Sequence, residues 1–240
     1  MLPKIDLPTY ELKLPSSGKS VTVRPFLVKE EKLLLMALES GETQDVINTT
    51  HQIINNCILS GDIKVSSLPF FDVDYLFIAL RAKSIGESID IKFTCNNVVD
   101  DHVCGATFPA KIDISNCKVI KDENISSDIQ LTGDLKIKMK YPTYSVMKSI
   151  FNNENALNKK IRIMASCVEY IVEKDQIHSS KDISKEEIIE FIENLPQEQF
   201  KKLEAFIDNF PHFLIASKAT CEKCGFEHDL EYSDFTSFFV

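Results

Sequence analysis

The segment "KATCEKCGFEHD" (218–229) constrains the fold of this chain more than any other segment. It places Cys221 and Cys224 two residues apart, with Gly225 directly after the second cysteine. This pattern is typical of a zinc knuckle, a tight turn that points two thiolates at one metal ion. A structural zinc site needs four ligands, so two more must come from elsewhere in the chain.

The segment "FTCNNVVDDHVCGATFPAKIDI" (93–114) repeats this local order. An alternating strand leads into Cys95, a cysteine–glycine pair follows at Cys104 and Gly105, and a second alternating strand leaves the turn. Glycine allows the chain to turn with a positive φ, so that backbone amides face the sulfur atoms. Two such hairpins facing each other form a zinc ribbon. We therefore predict one structural Zn²⁺ with four thiolate ligands: Cys95, Cys104, Cys221 and Cys224.

The first cysteine pair departs from the usual knuckle because eight residues separate its members. The insertion lies at the knuckle tip, where added loop length costs little free energy. The alternatives are His102 or His228 in place of one cysteine, and cysteine pairs that bind no metal. A redox pair is disfavoured because strand-like residues, not a helix, follow the second pair. We expect His228 to lie on a strand surface, and Cys117 to be a buried or incidental residue.

Charge and apolar patterning argue against several classes of partner. The 240-residue chain carries a formal net charge of −9, which disfavours contact with nucleic acid phosphates. It has no apolar run near the ~20 residues that a membrane-spanning helix needs, and its N-terminus lacks signal-peptide features. Seven cysteines without regular spacing argue against a disulfide framework. We therefore predict a cytoplasmic protein that contacts neither nucleic acid nor membrane.

Helical and strand-like segments follow one another in blocks, which predicts an α+β fold. We expect helical segments around a small β portion, whose zinc-ribbon-like site joins the middle of the chain to the C-terminus. The predicted helices are 28–41, 43–61, 72–83, 157–174, 184–195 and 196–211. The predicted strands lie in 10–26, 88–95, 107–114 and 128–142, and in the C-terminal segment from 212 onward.

No low-complexity linker divides the chain, so we expect one composite unit across residues 1–240. Three portions make up this unit. They are an N-terminal hairpin with helices (1–86), a β/zinc-ribbon portion (87–141 with 212–240) and a helical insertion (142–211).

The sequence contains none of the common catalytic or phosphate-binding motifs. The patterns GxGxxG, GxxxxGK[ST], GxSxG and HExxH are absent, and the five histidines lie apart. The acidic clusters at 29–31 and 184–187 lie at predicted helix starts, where the helix dipole accounts for them. A site closed by four thiolates offers no open position for activating water. We therefore predict no enzymatic activity and no small-molecule substrate.

Two segments carry more apolar residues than a solvated surface needs. The segment "RPFLVKEEKLLLMALESG" (24–41) contains the apolar run "LLLMAL", and the segment 233–240 places three phenylalanines at a chain end. Each segment either packs into the protein's own core or contacts a partner protein. The candidate partner-binding residues are Phe26, Leu34, Leu35, Phe235, Phe238 and Phe239.

Several of these segments, taken in order, resemble a known family. They are 7–41, 80–95 with Cys104, 138–143 and 221–239. Together they are similar to the T4-type bacteriophage baseplate hub assembly protein family over nearly the full chain. The resemblance implies a non-enzymatic tail-morphogenesis protein of a contractile-tailed phage, which binds other baseplate or hub proteins in the cytoplasm of the infected host.

The resemblance leaves two modes of action open. The protein either remains in the virion as a subunit of the tail baseplate, or acts as a chaperone-like assembly factor that holds a partner and then leaves. The alternative from another class is a zinc-ribbon adaptor of transcription or other macromolecular machinery. The acidic charge and the absence of a basic patch on the knuckles argue against its nucleic-acid-binding form.

Overall fold

The computed structural model describes residues 5–61, 63–149 and 155–233. Helices and strands are mixed within these ranges, which confirms the predicted α+β class. The strands form several small sheets. None of the helices in these ranges combines the length and the apolar character that crossing a membrane requires.

The chain divides into two compact units, each assembled from separate stretches of sequence. The first unit comprises Met1–Ile63, Phe71–Ile120 and His212–Val240. The second unit comprises Lys64–Phe70 and Lys121–Pro211. All four cysteines predicted as metal ligands therefore belong to the first unit.

The first unit begins with a small antiparallel sheet and continues through helices. The strands of this sheet, in spatial order, are β1 (Tyr10–Lys13), β2 (Ser20–Val23) and β3 (Ile58–Ser60). The helices are α1 (Val28–Glu39), α2 (Thr43–Cys57) and α3 (Phe70–Ser84). The predicted helix 43–61 thus ends four residues early, because Ile58 and Ser60 pair with β2 at the edge of the sheet.

A buried ion pair joins the end of β2 to the start of α1. The Arg24 guanidinium lies 3.0 Å from a carboxylate oxygen of Glu30, whose side chain is fully buried. The other Glu30 oxygen accepts a hydrogen bond from the Leu27 backbone N–H at 2.8 Å. Burial by itself raises the pKa of Glu30. The hydrogen bonds from Arg24 and Leu27 lower it, and the net pKa lies below its ordinary value. Ionised Glu30 therefore fixes the backbone at the start of α1 through its bonds to Arg24 and Leu27.

Helix α3 is buried around most of its circumference. Asp72 in its first turn is fully buried, and it accepts hydrogen bonds from both the backbone N–H and the hydroxyl of Ser16. This pairing joins the turn between β1 and β2 to the start of α3. The buried apolar side chains of α3 are Phe71, Val73, Leu76, Phe77, Ile78, Leu80 and Ala82.

Two β-hairpins form the ribbon of the first unit. One consists of β4 (Ser88–Thr94) and β7 (Thr107–Asp113), with β5 (Val98–Val99) and β6 (His102–Val103) between them. The other consists of β13 (His212–Thr220) and β14 (Glu227–Tyr232). Strand β8 (Lys118–Ile120) pairs with the start of β13. The Ser217 hydroxyl donates to the Lys111 carbonyl at 3.3 Å, which places β13 beside β7.

The second unit packs helices against a four-stranded antiparallel sheet. Its strands are β9 (Asp128–Gln130), β10 (Leu135–Met139), β11 (Val168–Glu173) and β12 (Gln176–Ser179), in the order β12-β11-β10-β9. Its helices are α4 (Tyr144–Ser149), α5 (Ala156–Cys167), α6 (Lys185–Glu193) and α7 (Gln197–Asp208), and a 3₁₀ turn covers Val65–Ser67. Ile137, Met164, Cys167, Ile192 and Leu203 are fully buried at the centre of its core.

Two sequence-based expectations for this region differ from the structure. The predicted helix 157–174 ends at Cys167, because the following "VEYIVE" is rich in β-branched and aromatic residues and pairs with β10 as strand β11. The hairpin within 128–142 was assigned by sequence to the ribbon portion. Its strands instead form one sheet with β11 and β12 in the second unit. Periodicity identifies strands, but it does not reveal which strands pair.

Candidate metal centre

The C-terminal knuckle is a tight turn closed by two backbone hydrogen bonds. The Cys221 N–H donates to the Phe226 carbonyl at 2.9 Å, and the Gly225 N–H donates to the Cys221 carbonyl at 2.9 Å. Gly225 has a φ of 71°, in the left-handed region that glycine adopts without a steric penalty. The turn therefore places Cys221 and Cys224 on the same side of the knuckle, within one cluster of sulfur atoms.

The mid-chain turn has the same hydrogen-bond frame. The Cys95 N–H donates to the Ala106 carbonyl at 2.8 Å, and the Gly105 N–H donates to the Cys95 carbonyl at 3.0 Å. Gly105 has a φ of 61°. A further bond from the Cys104 N–H to the Asn97 carbonyl, at 2.8 Å, closes the inserted segment at its base. Cys95 and Cys104 therefore occupy the positions that Cys221 and Cys224 occupy in the other turn.

The long spacer between Cys95 and Cys104 folds as a miniature hairpin of β5 and β6. Val98 pairs with Val103 and Val99 with His102. Asp100 and Asp101 form the turn with φ values of 47° and 64°, as in the type I′ turns that suit two-residue hairpin loops. The insertion therefore projects from the knuckle as a hairpin of its own, and it does not stretch the turn that holds the cysteines.

The structure brings together all four cysteines predicted from the sequence. Their sulfur atoms lie within 4.8 Å of one another. The Sγ atoms of Cys95 and Cys224 are 3.6 Å apart, and those of Cys104 and Cys221 are 3.9 Å apart. Four sulfurs bound tetrahedrally to zinc at ~2.3 Å would be separated by about 3.8 Å. These separations are too long for disulfides, and the soft thiolate set fits zinc.

The four thiols differ in their surroundings. Cys95 and Cys221 are buried, whereas Cys104 and Cys224 are half-buried. Burial raises the pKa of the Cys95 thiol, while a hydrogen bond from the Phe226 backbone N–H lowers the pKa of the Cys224 thiol. Cys224 is therefore more readily ionised than Cys95. Deprotonation of Cys95 in its buried position requires compensation by a cation or by hydrogen-bond donors.

The prediction for His228 was wrong. Its side chain is only 6% exposed, and its Nε2 lies 3.2 Å from the Cys95 sulfur. In β14, His228 and Leu230 face inward while Glu227 and Asp229 face solvent. The sequence already contained this signal, since His228 alternates in phase with the apolar Leu230. Cys117 is half-buried and lies outside the cluster, and His102 is exposed on the inserted hairpin.

The candidate partner-binding residues divide into three groups. Phe26 and Leu34 are both buried, which places them in the core of the first unit. Leu35 is 54% exposed and lines a groove of about 450 Å³ together with Leu38 and Ile85. The remaining candidates lie outside the described residues: Phe235, Phe238 and Phe239.

Fold and site together define an α+β protein in which a four-cysteine cluster joins the C-terminal hairpin to a mid-chain hairpin. The family model described as "T4 bacteriophage base plate protein" matches residues 7–240. The chain therefore belongs to this family of phage baseplate proteins, which confirms the sequence resemblance at the level of the baseplate. No curated protein and no solved structure matches the chain significantly.

We expect the left-handed backbone at Gly225 to be the main requirement for glycine in the C-terminal knuckle. A Cβ atom there would meet no heavy atom within 4 Å, so Gly225→Ala introduces backbone strain without a clash. The expected loss is about 1–2 kcal/mol of unfolding free energy, measured by denaturant titration in zinc-containing buffer. Gly133→Ala is the control, because a Cβ atom at Gly133 would also meet no heavy atom within 4 Å, whereas its φ does not lie in the left-handed region. Equal stability of the two variants would contradict the strain argument.

Proposed function

We propose that this chain is a non-enzymatic phage tail protein that assembles or builds the baseplate hub through protein–protein contacts. The observation that carries this proposal is the family match across residues 7–240. Its partners are other baseplate or hub proteins, which it meets in the host cytoplasm during phage assembly. The four-cysteine cluster supports a structural role, because a complete thiolate set leaves no coordination position for a substrate or for water.

We further propose that Cys95, Cys104, Cys221 and Cys224 hold one structural Zn²⁺. The sulfur separations of 3.6 and 3.9 Å support this assignment. When bound, zinc supplies folding free energy, because the unfolded chain has no preformed site. The protein's own contribution is to hold two pre-shaped turns face to face. The cluster thereby fastens the C-terminal hairpin to a hairpin more than a hundred residues earlier in the chain.

Helix α1 provides the contact surface that the described residues support best. Val28, Leu35 and Met36 are all more than half exposed on this helix. Leu35 also borders the groove that contains Leu38 and Ile85. Exposed apolar side chains beside a groove are typical of protein-binding sites. The phenylalanine-rich C-terminal segment remains the second candidate surface.

A pull-down experiment tests these surfaces. Tagged protein is co-expressed with the phage's baseplate proteins, and captured partners are identified by mass spectrometry. Leu35→Asp is expected to reduce partner capture by about tenfold or more, because it buries a charge in the contact. Leu59→Asp is the matched control, since Leu59 in β3 is similarly exposed at 52%. Phe238→Asp with Phe239→Asp tests the C-terminal surface in the same assay.

The two surfaces have separate outcomes. If Leu35→Asp binds as well as the unaltered chain, α1 is not the contact surface. If Leu35→Asp and the variant with Phe238→Asp and Phe239→Asp both capture partners normally, neither surface is the contact surface. Capture of no baseplate protein by the unaltered chain, together with its absence from purified tails, contradicts the proposed function. Stoichiometric presence in tails supports a baseplate subunit, whereas capture without presence in tails supports an assembly factor.

A further inference from the structure

His228 is a polar side chain in an otherwise apolar part of the ribbon. It lies on the inward face of β14, and only 6% of it is exposed. Three phenylalanine rings surround the imidazole. The ring centroids of Phe226, Phe93 and Phe108 lie 4.8, 4.9 and 6.4 Å from that of His228. These rings fix the orientation of the imidazole and exclude water from most of its surface.

Among the residues that the structure describes, the imidazole nevertheless has a polar contact, with a sulfur of the cysteine cluster. Its Nε2 lies 3.2 Å from the Cys95 Sγ, within the distance of an N–H···S hydrogen bond. Burying an imidazole N–H among aromatic rings without a partner would cost free energy, so this contact accounts for a polar residue at this position. The contact requires the tautomer that carries the proton on Nε2 when Cys95 is a thiolate.

Cys95 is the sulfur that most needs such a donor. It is fully buried, so water cannot solvate its negative charge. A divalent metal bound by four thiolates leaves a doubly negative centre, which nearby N–H donors stabilise. The imidazole of His228 offers this sulfur a side-chain donor from the opposite hairpin.

We propose that His228 is a positioning residue of the metal centre, which donates its Nε2–H to the Cys95 thiolate and does not itself bind the metal. This inference rests on the proposed zinc site. The four sulfurs form a complete set within 4.8 Å of one another, and the imidazole nitrogens do not belong to that set. The hydrogen bond orients Cys95 and also ties β14 to the turn that follows β4.

Chelator competition tests the proposal. We compare zinc affinity and zinc content in the unaltered chain, His228→Phe and His228→Gln. Phenylalanine keeps an aromatic ring between its neighbours but removes the N–H, so affinity is expected to fall ~10–100-fold while one zinc per chain is retained. Glutamine retains a side-chain N–H and is expected to recover part of the loss. Phe226→Leu is the control, because it perturbs the aromatic surroundings but leaves the hydrogen bond intact.

An NMR measurement on the unaltered chain provides a readout that a packing role would not change. The protein is loaded with NMR-active cadmium and labelled with ¹⁵N-histidine. A through-bond coupling between the cadmium and the His228 Nε2–H, with a cadmium shift typical of four sulfurs, is the expected result. This measurement decides the question even if His228→Phe fails to fold.

Each contrary outcome has a distinct meaning. Equal zinc affinity in His228→Phe and the unaltered chain, or a missing coupling, overturns the role of His228 and leaves the zinc proposal standing. A cadmium shift typical of three sulfurs and one nitrogen also overturns it, because the imidazole would then be a ligand. If the unaltered chain binds no metal, the zinc proposal fails, and the role of His228 fails with it.

Discussion

Replacing Cys95 by serine is expected to remove the metal and to unfold the ribbon of the first unit. Structural zinc contributes an apparent ~10–16 kcal/mol in zinc-finger peptides, which matches or exceeds the ~5–15 kcal/mol that stabilises a whole domain. The apolar cluster around the cysteines is small, with Phe108, Ala110, Ala219 and Leu230 as its buried members besides Cys95 and Cys221. Apolar burial of this size does not replace a lost metal site.

Metal analysis and hydrogen exchange measure this effect together. Zinc content should fall well below stoichiometric, and amides in β4, β7, β13 and β14 should lose protection. Cys117→Ser is the matched control, because Cys117 is half-buried and lies outside the cluster. It is expected to keep its zinc and its protection. Retained protection in Cys95→Ser would show that the ribbon folds without the metal.

Replacing Glu30 by glutamine is expected to lower the free energy of unfolding by about 3–5 kcal/mol, because it leaves the Arg24 guanidinium unpaired. Arg24 lies 3.0 Å from Glu30, and the side chain of Arg24 is only 12% exposed. Denaturant titration measures the loss. Glu31→Gln is the control, since Glu31 is the next residue and makes no ion pair with any described residue. Equal stability of Glu30→Gln and the unaltered chain would contradict a structural role for the ion pair.

The ion pair also predicts a pH dependence. The pKa of Glu30 is lower in the folded chain than its ordinary value of 4.5. Its contribution is therefore complete above the ordinary pKa and is lost as the pH falls through the lower, folded pKa. The difference in stability between Glu30→Gln and the unaltered chain should accordingly shrink in acid below about pH 4.5. A difference that persists in strong acid would indicate a cause other than the charge of Glu30.

The four-cysteine cluster was predictable because each half has a local signature. In both turns a strand leads into a cysteine, and a later cysteine–glycine pair leads into another strand. The structure shows the same hydrogen-bond frame in both. The eight-residue spacer obscured the likeness, yet its own turn residues, Asp100 and Asp101, close a separate hairpin. A local pattern of this kind is readable because a few neighbouring residues determine it.

Features that depend on distant partners were not predictable in the same way. The sequence explained Glu30 by the helix dipole, whereas its burial and its pairing with Arg24 appear only in three dimensions. His228 was assigned to a surface although it alternates in phase with the apolar Leu230; its contact with Cys95, 133 residues earlier, appears only in three dimensions. Strand β11 was read as helix because apolar residues from 168 to 173 fit both periodicities over a short stretch.

Native mass spectrometry of the recombinant protein tests the central claim most directly. The mass of the folded chain, compared with that of the same chain in denaturant, reports the bound metal without any substitution. The account predicts one zinc per folded chain, lost on unfolding. A folded chain of metal-free mass, with all four cysteines reduced, would contradict it.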